Sequence, residues 1–137
     1  MQNFSKQESL FFAILALAII IVSLALASVF LLSKQPEPYT ELYFDLPSLS
    51  ETAVYGENLE FTFFVENHEA QNMDYKYTVL VAGDAVKEKT ISIAQGAKDQ
   101  VTETVLVYAG EQKIEVVLEN SFQDQYNIFF WVKGESA

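Results

Sequence analysis

Hydrophobic and polar positions follow two different patterns along this chain, and the pattern changes near residue 39. Residues 10–32 form an apolar run of 23 residues that contains no charge. As an α-helix this run would be about 34 Å long, which is enough to cross the hydrocarbon core of a membrane. The sequence therefore predicts one N-terminal transmembrane helix over residues 10–32.

A cleaved signal peptide is the competing interpretation of this run, because "ALA" at residues 25–27 imitates a cleavage site. The apolar core of a signal peptide has about 7–15 residues, whereas this run continues for five residues past Ala27. Its length therefore favours an uncleaved signal anchor.

The charges that flank the run decide the predicted orientation. Lys6 and the terminal amine lie before it, offset by Glu8, and Lys34 lies just after it. The excess of positive charge on the N-terminal side is small, and it slightly favours a cytoplasmic N-terminus. Residues 35–137 carry six lysines against eighteen acidic residues, a net charge of −12 that is compatible with export. We expect a plasma-membrane protein with a short cytoplasmic N-terminus (1–9), a Pro-containing linker (33–38), an external β domain (39–134) and a short tail (135–137).

From Tyr39 onward the apolar residues alternate with polar ones, which is the period of a β-strand. Gly, Asn, Asp and Gln cluster between the alternating segments and predict turns. Seven segments show the pattern: 39–45, 58–67, 73–82, 86–94, 100–108, 113–120 and 126–133. The sequence therefore predicts an all-β fold, a seven-stranded antiparallel immunoglobulin-like sandwich behind one N-terminal transmembrane helix.

The stretch "GENLEFTFFVEN" and the segment "YTVLVAGDAVKEKTISIAQGAKDQVTETV" resemble CARDB-type immunoglobulin-like modules. Those modules share a Gly-Glu before their second strand, an Asn that ends it and a small-x-Gly turn before their fifth strand, and Gly56, Glu57, Asn67 and Gly96 match that layout. "YTELY", "VENHE" and "YNIFFWV" more closely resemble the C-terminal domain of an archaeal membrane-protein family, domain of unknown function 1616. The resemblance covers residues 39–133 and implies an extracytoplasmic domain. That family has several membrane spans where this chain has one, and it provides no catalytic residues to carry over.

Composition excludes several classes of function. The chain has no cysteine, which excludes disulfides, thiol catalysis, a lipoprotein anchor and cysteine-type zinc sites. Its net charge is −11, and its eight basic residues are all lysines, so binding of nucleic acid is disfavoured. The five glycines are isolated, so a glycine-rich phosphate loop is absent from the sequence.

His68 is the single histidine of the chain, and Glu66, Glu69 and Asp74 lie near it in the sequence. A metal or acid–base site needs three or four convergent groups, and these carboxylates are scattered over a strand and a loop. The alternative is that Asn67 and His68 form the turn between two strands. We favour the turn and predict no catalytic residue, no cofactor and no metal.

The last strand differs from the others because both of its faces are apolar. Ile128, Phe130 and Val132 alternate with Phe129 and Trp131, and the first set fits the core. In an immunoglobulin-like sheet, Leu80 and Val117 would join Phe129 and Trp131 on the outer face. Leu80, Val117, Phe129 and Trp131 are therefore the candidate partner-contact residues. The alternatives are that Trp131 caps the sandwich edge or that the register of the strand is inverted.

These features favour a non-catalytic protein-interaction module, which contacts membrane lipid through residues 10–32 and binds an envelope or membrane protein. The alternative is a structural accessory of a surface filament, motility or envelope assembly, by analogy of architecture. A small membrane-tethered hydrolase ranks last, because the sequence offers no serine–histidine–acid or two-carboxylate arrangement.

Overall fold

The computed structural model describes residues 5–33 and 37–137, which divide into two compact units at residue 37. The first unit contains a single α-helix. The second contains eight strands and a short 3-10 turn at Leu46–Ser48. The elements are α1 (Lys6–Ser33), β1 (Tyr39–Phe44), β2 (Thr52–Val54), β3 (Asn58–His68), β4 (Met73–Val81), β5 (Asp84–Ile93), β6 (Lys98–Leu106), β7 (Gly110–Glu119) and β8 (Gln125–Glu135).

Helix α1 begins with a reciprocal cap. The Ser5 N–H donates to the Glu8 carboxylate at 2.9 Å, and the Glu8 N–H donates to the Ser5 hydroxyl at 3.3 Å. The predicted run 10–32 lies inside α1. This helix is long and apolar enough to cross a membrane, which fits either a membrane anchor or a signal sequence. The predicted N-terminus (1–9) and linker (33–38) include residues 1–4 and 34–36, which lie outside the described residues.

The β unit is a sandwich of two sheets, as predicted. Its three-stranded sheet has the order β1-β3-β6, and its five-stranded sheet has the order β2-β8-β7-β4-β5. Strands β4, β7 and β8 therefore share a sheet, as the immunoglobulin-like prediction requires. Apolar side chains at alternating positions of both sheets meet between them, with Phe61, Phe63, Tyr75, Tyr77 and Ile114 among the most completely buried.

The predicted number of strands was wrong, because the described residues contain eight rather than seven. The additional strand, β2, has only three residues and pairs in parallel with the end of β8, from Thr52 opposite Lys133 to Val54 opposite Glu135. The sandwich is therefore not wholly antiparallel. Three residues are too few to show an alternating pattern, so the sequence carried no signal for this strand.

A buried carboxylate links the two sheets at the side where β5 and β6 lie. The side chain of Glu103 on β6 is only 2% exposed, and its oxygens accept hydrogen bonds from the Tyr77 hydroxyl at 2.6 Å and from the Lys87 and Lys89 ammonium groups at 2.9 Å each. Burial alone would raise the pKa of Glu103, but the bonds from Tyr77, Lys89 and Lys87 outweigh it and lower the pKa to about 2. The carboxylate is thus charged and paired with two cations, and the four residues form a structural ion network.

Candidate functional site

Strand β8 presents two aromatic rings to solvent. Phe130 and Val132 are buried in the core, whereas the alternating Phe129 and Trp131 are 53% and 58% exposed. The structure therefore has the predicted register of β8, because an inverted register would bury Phe129 and Trp131 instead. Phe129 and Trp131 lie on the outer face of the five-stranded sheet.

The other two candidate residues lie on the same face but do not join this pair. The ladder places Leu80 opposite Glu115 and Glu115 opposite Phe129, so a charged side chain stands between the two apolar ones. Leu80 and Val117 are half-buried and line a separate depression of about 210 Å³. The structure thus divides the four predicted residues into an exposed aromatic pair and a less exposed aliphatic pair.

Two charged side chains lie beside the aromatic pair. Lys113 lies opposite Trp131 in the ladder, and its ammonium nitrogen lies 5.2 Å from the centroid of the Phe129 ring, which is a cation–π distance. Glu115 accepts a 3.1 Å hydrogen bond from the Asn127 side-chain amide. The surface therefore combines two large rings with one basic and one acidic side chain.

One edge of β8 is open beside these rings. Strand β2 pairs only with Lys133–Glu135, and no other strand in the described part of the chain pairs with that edge at residues 125–132. The Lys133 N–H points to this edge, since it donates to the Glu51 carbonyl. Because main-chain groups of alternate residues point to the same edge, those of Phe129 and Trp131 point there too.

An apolar cleft of about 520 Å³ begins at the same place and extends to β1. It is lined by Leu42, Tyr43, Phe44, Leu46, Asn127, Ile128 and Phe129. Leu46 is 75% exposed at the start of the 3-10 turn that follows β1. The prediction from sequence missed this cleft, because it forms where strands distant in sequence come together.

Asn67 has the turn role that the sequence predicted, but His68 does not. Asn67 is buried, and its amide donates to the carbonyls of Gln71 at 3.0 Å and Ile93 at 2.9 Å, while its oxygen accepts from the Glu69 N–H at 2.9 Å. His68 is instead the last residue of β3, paired with Tyr39 on β1. The strand continues through His68 because β1 extends the ladder to this position.

Of the three carboxylates that the sequence placed near His68, only Glu66 converges on it. Asp74 lies on β4 and accepts a hydrogen bond from Ser92, and Glu69 accepts one from Thr40. The carboxylates that converge on His68 are Glu66 and Glu41, and the candidate ligand atoms of the three residues all lie within 4.8 Å of one another. The pKa of Glu41 is raised, chiefly by its hydrogen bond with Glu66. Glu41 was not among the residues predicted near His68, because only the pairing of β1 with β3 brings it there.

No protein-family model matches the chain, and no curated protein matches it by sequence. Solved structures do match its fold. One is the CARDB domain of a Pyrococcus furiosus protein, solved in complex with di-metal ions. Its sequence is 14% identical, the match covers 74% of this chain and 90% of that one, and the TM-score is 0.57. Another comes from the complex of zinc 2-glycoprotein with prolactin inducible protein from human seminal plasma, with 7% identity, coverage of 74% and 99%, and a TM-score of 0.58.

Fibronectin(III)-like modules of CbhA from Clostridium thermocellum also match, with 11% identity, coverage of 75% of this chain and 50% of that one, and a TM-score of 0.52. At such low identities the likeness concerns the fold, which is the predicted immunoglobulin-like, CARDB-like sandwich. CARDB and fibronectin-like modules are typically non-catalytic. It stays a prediction that the chain belongs to the family called domain of unknown function 1616 and that it comes from an archaeon. The chain is thus an immunoglobulin-like β-sandwich that follows one apolar helix.

Proposed function

We propose that this chain is a single-pass plasma-membrane protein whose external β-sandwich is a non-catalytic module for binding an envelope or membrane protein. The observation that carries the proposal is the exposed aromatic pair, Phe129 and Trp131, on one face of one regular strand. Large aromatic side chains provide much contact area at low conformational cost and dominate the energetics of many interfaces. The neighbouring open edge of β8 offers main-chain hydrogen bonds to an extended segment of the partner.

The apolar helix supports the anchor part of the proposal. Helix α1 has 28 residues, whereas a signal-peptide core has about 7–15. Intact mass of the protein extracted from membranes should therefore include residues 10–32, and a mature chain that begins near Ser28 would contradict the anchor. Protease added to intact cells should digest the β unit, and complete protection until lysis would contradict the external location.

The fold is compatible with protein binding, since a structure of a similar fold was solved as a protein–protein complex. The acidic chain carries a basic side chain, Lys113, beside the aromatic pair. The acidic Glu115 also lies beside the pair, opposite Phe129. We therefore infer a partner that presents apolar side chains together with charged groups of both signs. Leu80 and Val117 belong to a second, less exposed part of the same face and contribute less.

A crosslinking experiment in the native membrane tests the contact. The double variant Phe129→Ser with Trp131→Ser should lose the crosslinked partner. The matched control, Tyr108→Ser with Phe122→Ser, should retain it, because those rings are also exposed, at 56% and 61%, but lie outside β8. If both double variants retain the partner, the contact lies elsewhere and the proposal fails. Crosslinks chiefly to further copies of the same chain would favour the alternative, a structural accessory of an assembly.

Trp131 provides an independent measurement, because it is the single tryptophan of the chain. Its indole is largely exposed, so its fluorescence should shift to the blue when a purified partner covers it. A partner that binds without changing this emission would contradict contact at Trp131.

A further inference from the structure

The outer face of the three-stranded sheet brings together three potential metal ligands from two strands. Glu41 on β1 lies directly opposite Glu66 on β3, and His68 follows two residues later on the same face. The His68 Nε2 atom is 3.6 Å from the Glu41 carboxylate, and one ligand atom from each of the three residues lies within 4.8 Å of the others. This separation fits a single ion held between them.

The two carboxylates oppose each other at close range in a chain that is already strongly acidic. Like charges directly opposite on paired strands are destabilising. Lys98 lies opposite Glu66 on the far side of β3, but its ammonium nitrogen lies 5.0 Å from the centroid of the Phe64 ring, and the described residues show no ion pair between Lys98 and Glu66. His68 is a cation only when it is protonated. A bound divalent cation would relieve the repulsion between the carboxylates.

The backbone of the two glutamates and the ring of His68 are held before any ion binds. The β1–β3 ladder fixes the backbone of Glu41 and Glu66, and Tyr39 stacks on the His68 imidazole with ring centroids 4.6 Å apart and planes 23° apart. A ring that is held in this way loses little freedom when its nitrogen coordinates a metal. His68 and Glu41 also remain solvent-accessible, at 37% and 48% exposure, so an ion has a path of entry.

The ligand types select the ion. Zinc binds imidazole nitrogen together with carboxylate oxygen and takes four ligands, whereas calcium takes six to eight oxygens. We propose that Glu41, Glu66 and His68 form a binding site for a divalent ion of the zinc class, with its fourth position open to water. No metal was predicted from the sequence, because, of the carboxylates near His68 in the chain, Glu69 and Asp74 do not lie on the face of β3 that carries Glu66 and His68. The strand pairing supplies Glu41 as the third convergent ligand.

Calorimetric titration with zinc tests the site in the full-length protein, held in a non-ionic detergent and purified without a polyhistidine tag. We expect one saturable site. Glu41→Gln, Glu66→Gln and His68→Asn should each weaken binding at least about tenfold, since even the loss of an outer partner of a metal ligand costs about 10–100-fold. Glu60→Gln is the control, because it removes a carboxylate from the same face of β3 about 20 Å away and should leave the affinity unchanged. Far-UV circular dichroism checks that every variant is folded.

The single histidine makes a direct measurement possible. Nitrogen-15 spectra of the imidazole report on His68 alone, and its ring signals should shift with the first equivalent of zinc. Absence of saturable zinc binding would overturn the proposal, as would equal affinity in the three ligand variants and the control. Calcium that binds as tightly as zinc, with the His68 signals unmoved, would also overturn it, because the ion would then be held by oxygens alone.

Discussion

The Tyr77 hydroxyl on β4 donates a 2.6 Å hydrogen bond to Glu103 on β6, and this bond joins the two sheets of the sandwich. Lys87 and Lys89 on β5 complete the network from the edge of the five-stranded sheet. A buried carboxylate needs such partners, because an unpaired charge in the core is very costly. The network therefore places β5 beside β6 and closes one side of the core.

Substitution of Glu103 by Gln should lower the free energy of unfolding by about 2 kcal/mol. This is less than the roughly 3–5 kcal/mol typical of a broken buried ion pair, because the two lysines can turn toward water. Chemical denaturation of the full-length protein in detergent, followed by circular dichroism, measures the change. The control is Glu88→Gln, which breaks an exposed 3.1 Å pair with Lys76 and should cost at most about 0.5 kcal/mol. Equal costs for the two variants would contradict a special role for the buried pair.

The same network makes stability depend on pH. The pKa of Glu103 is about 2 in the folded chain, against an ordinary value of 4.5 for a glutamate side chain in water, so the unfolded state takes up the proton first as pH falls. The stabilisation from Glu103 is therefore fully present above pH 4.5 and is lost as pH falls toward 2. Unfolding measured at a series of pH values should show the wild type and Glu103→Gln converging within this window. A constant difference down to the lowest pH would contradict the depressed pKa.

Gly134 should not tolerate a side chain. A Cβ atom added there would lie 1.9 Å from the carbonyl oxygen of Tyr108, a backbone atom of the loop before β7. The strand must move to admit it, so Gly134→Ala should cost about 3 kcal/mol, the upper end for overpacking. The matched control is Lys133→Ala, an exposed neighbour that should change the stability by about 0.5 kcal/mol or less. A thermal melt that is the same for both variants would contradict the close contact.

Much of this fold could be predicted because its signals are local. The apolar run marks α1, and the alternation of residues in β3 and β8 marks both the strands and their buried faces. Strand β2 could not be predicted in this way, nor could the position of Glu41 beside Glu66 and His68, because both depend on pairing between segments that are distant in sequence. The turn assigned to His68 was wrong for the same reason, since β1 carries the ladder of β3 through that residue.

The candidate interaction surface shows the same limit. Alternation alone placed Leu80, Val117, Phe129 and Trp131 on the outer face of one sheet. It did not show that Glu115 separates Leu80 from Phe129, because that follows from the register of three strands. The aromatic pair is consequently a smaller surface than the sequence suggested, and it borders the apolar cleft that leads to β1.

Neighbouring phenylalanines on β8 should respond oppositely to the same substitution. Phe130 is 9% exposed and contacts the Phe44 and Phe61 rings edge-on at centroid distances of 5.1 and 5.5 Å, so Phe130→Ser should cost about 3–5 kcal/mol. Phe129 is exposed and loses the Lys113 cation–π contact and its place in the wall of an open cleft, so Phe129→Ser should cost about 1 kcal/mol. Denaturant midpoints of the two variants measure the difference. If Phe129→Ser proves the more damaging, then Phe129 belongs to the core, and the proposed partner surface is lost with it.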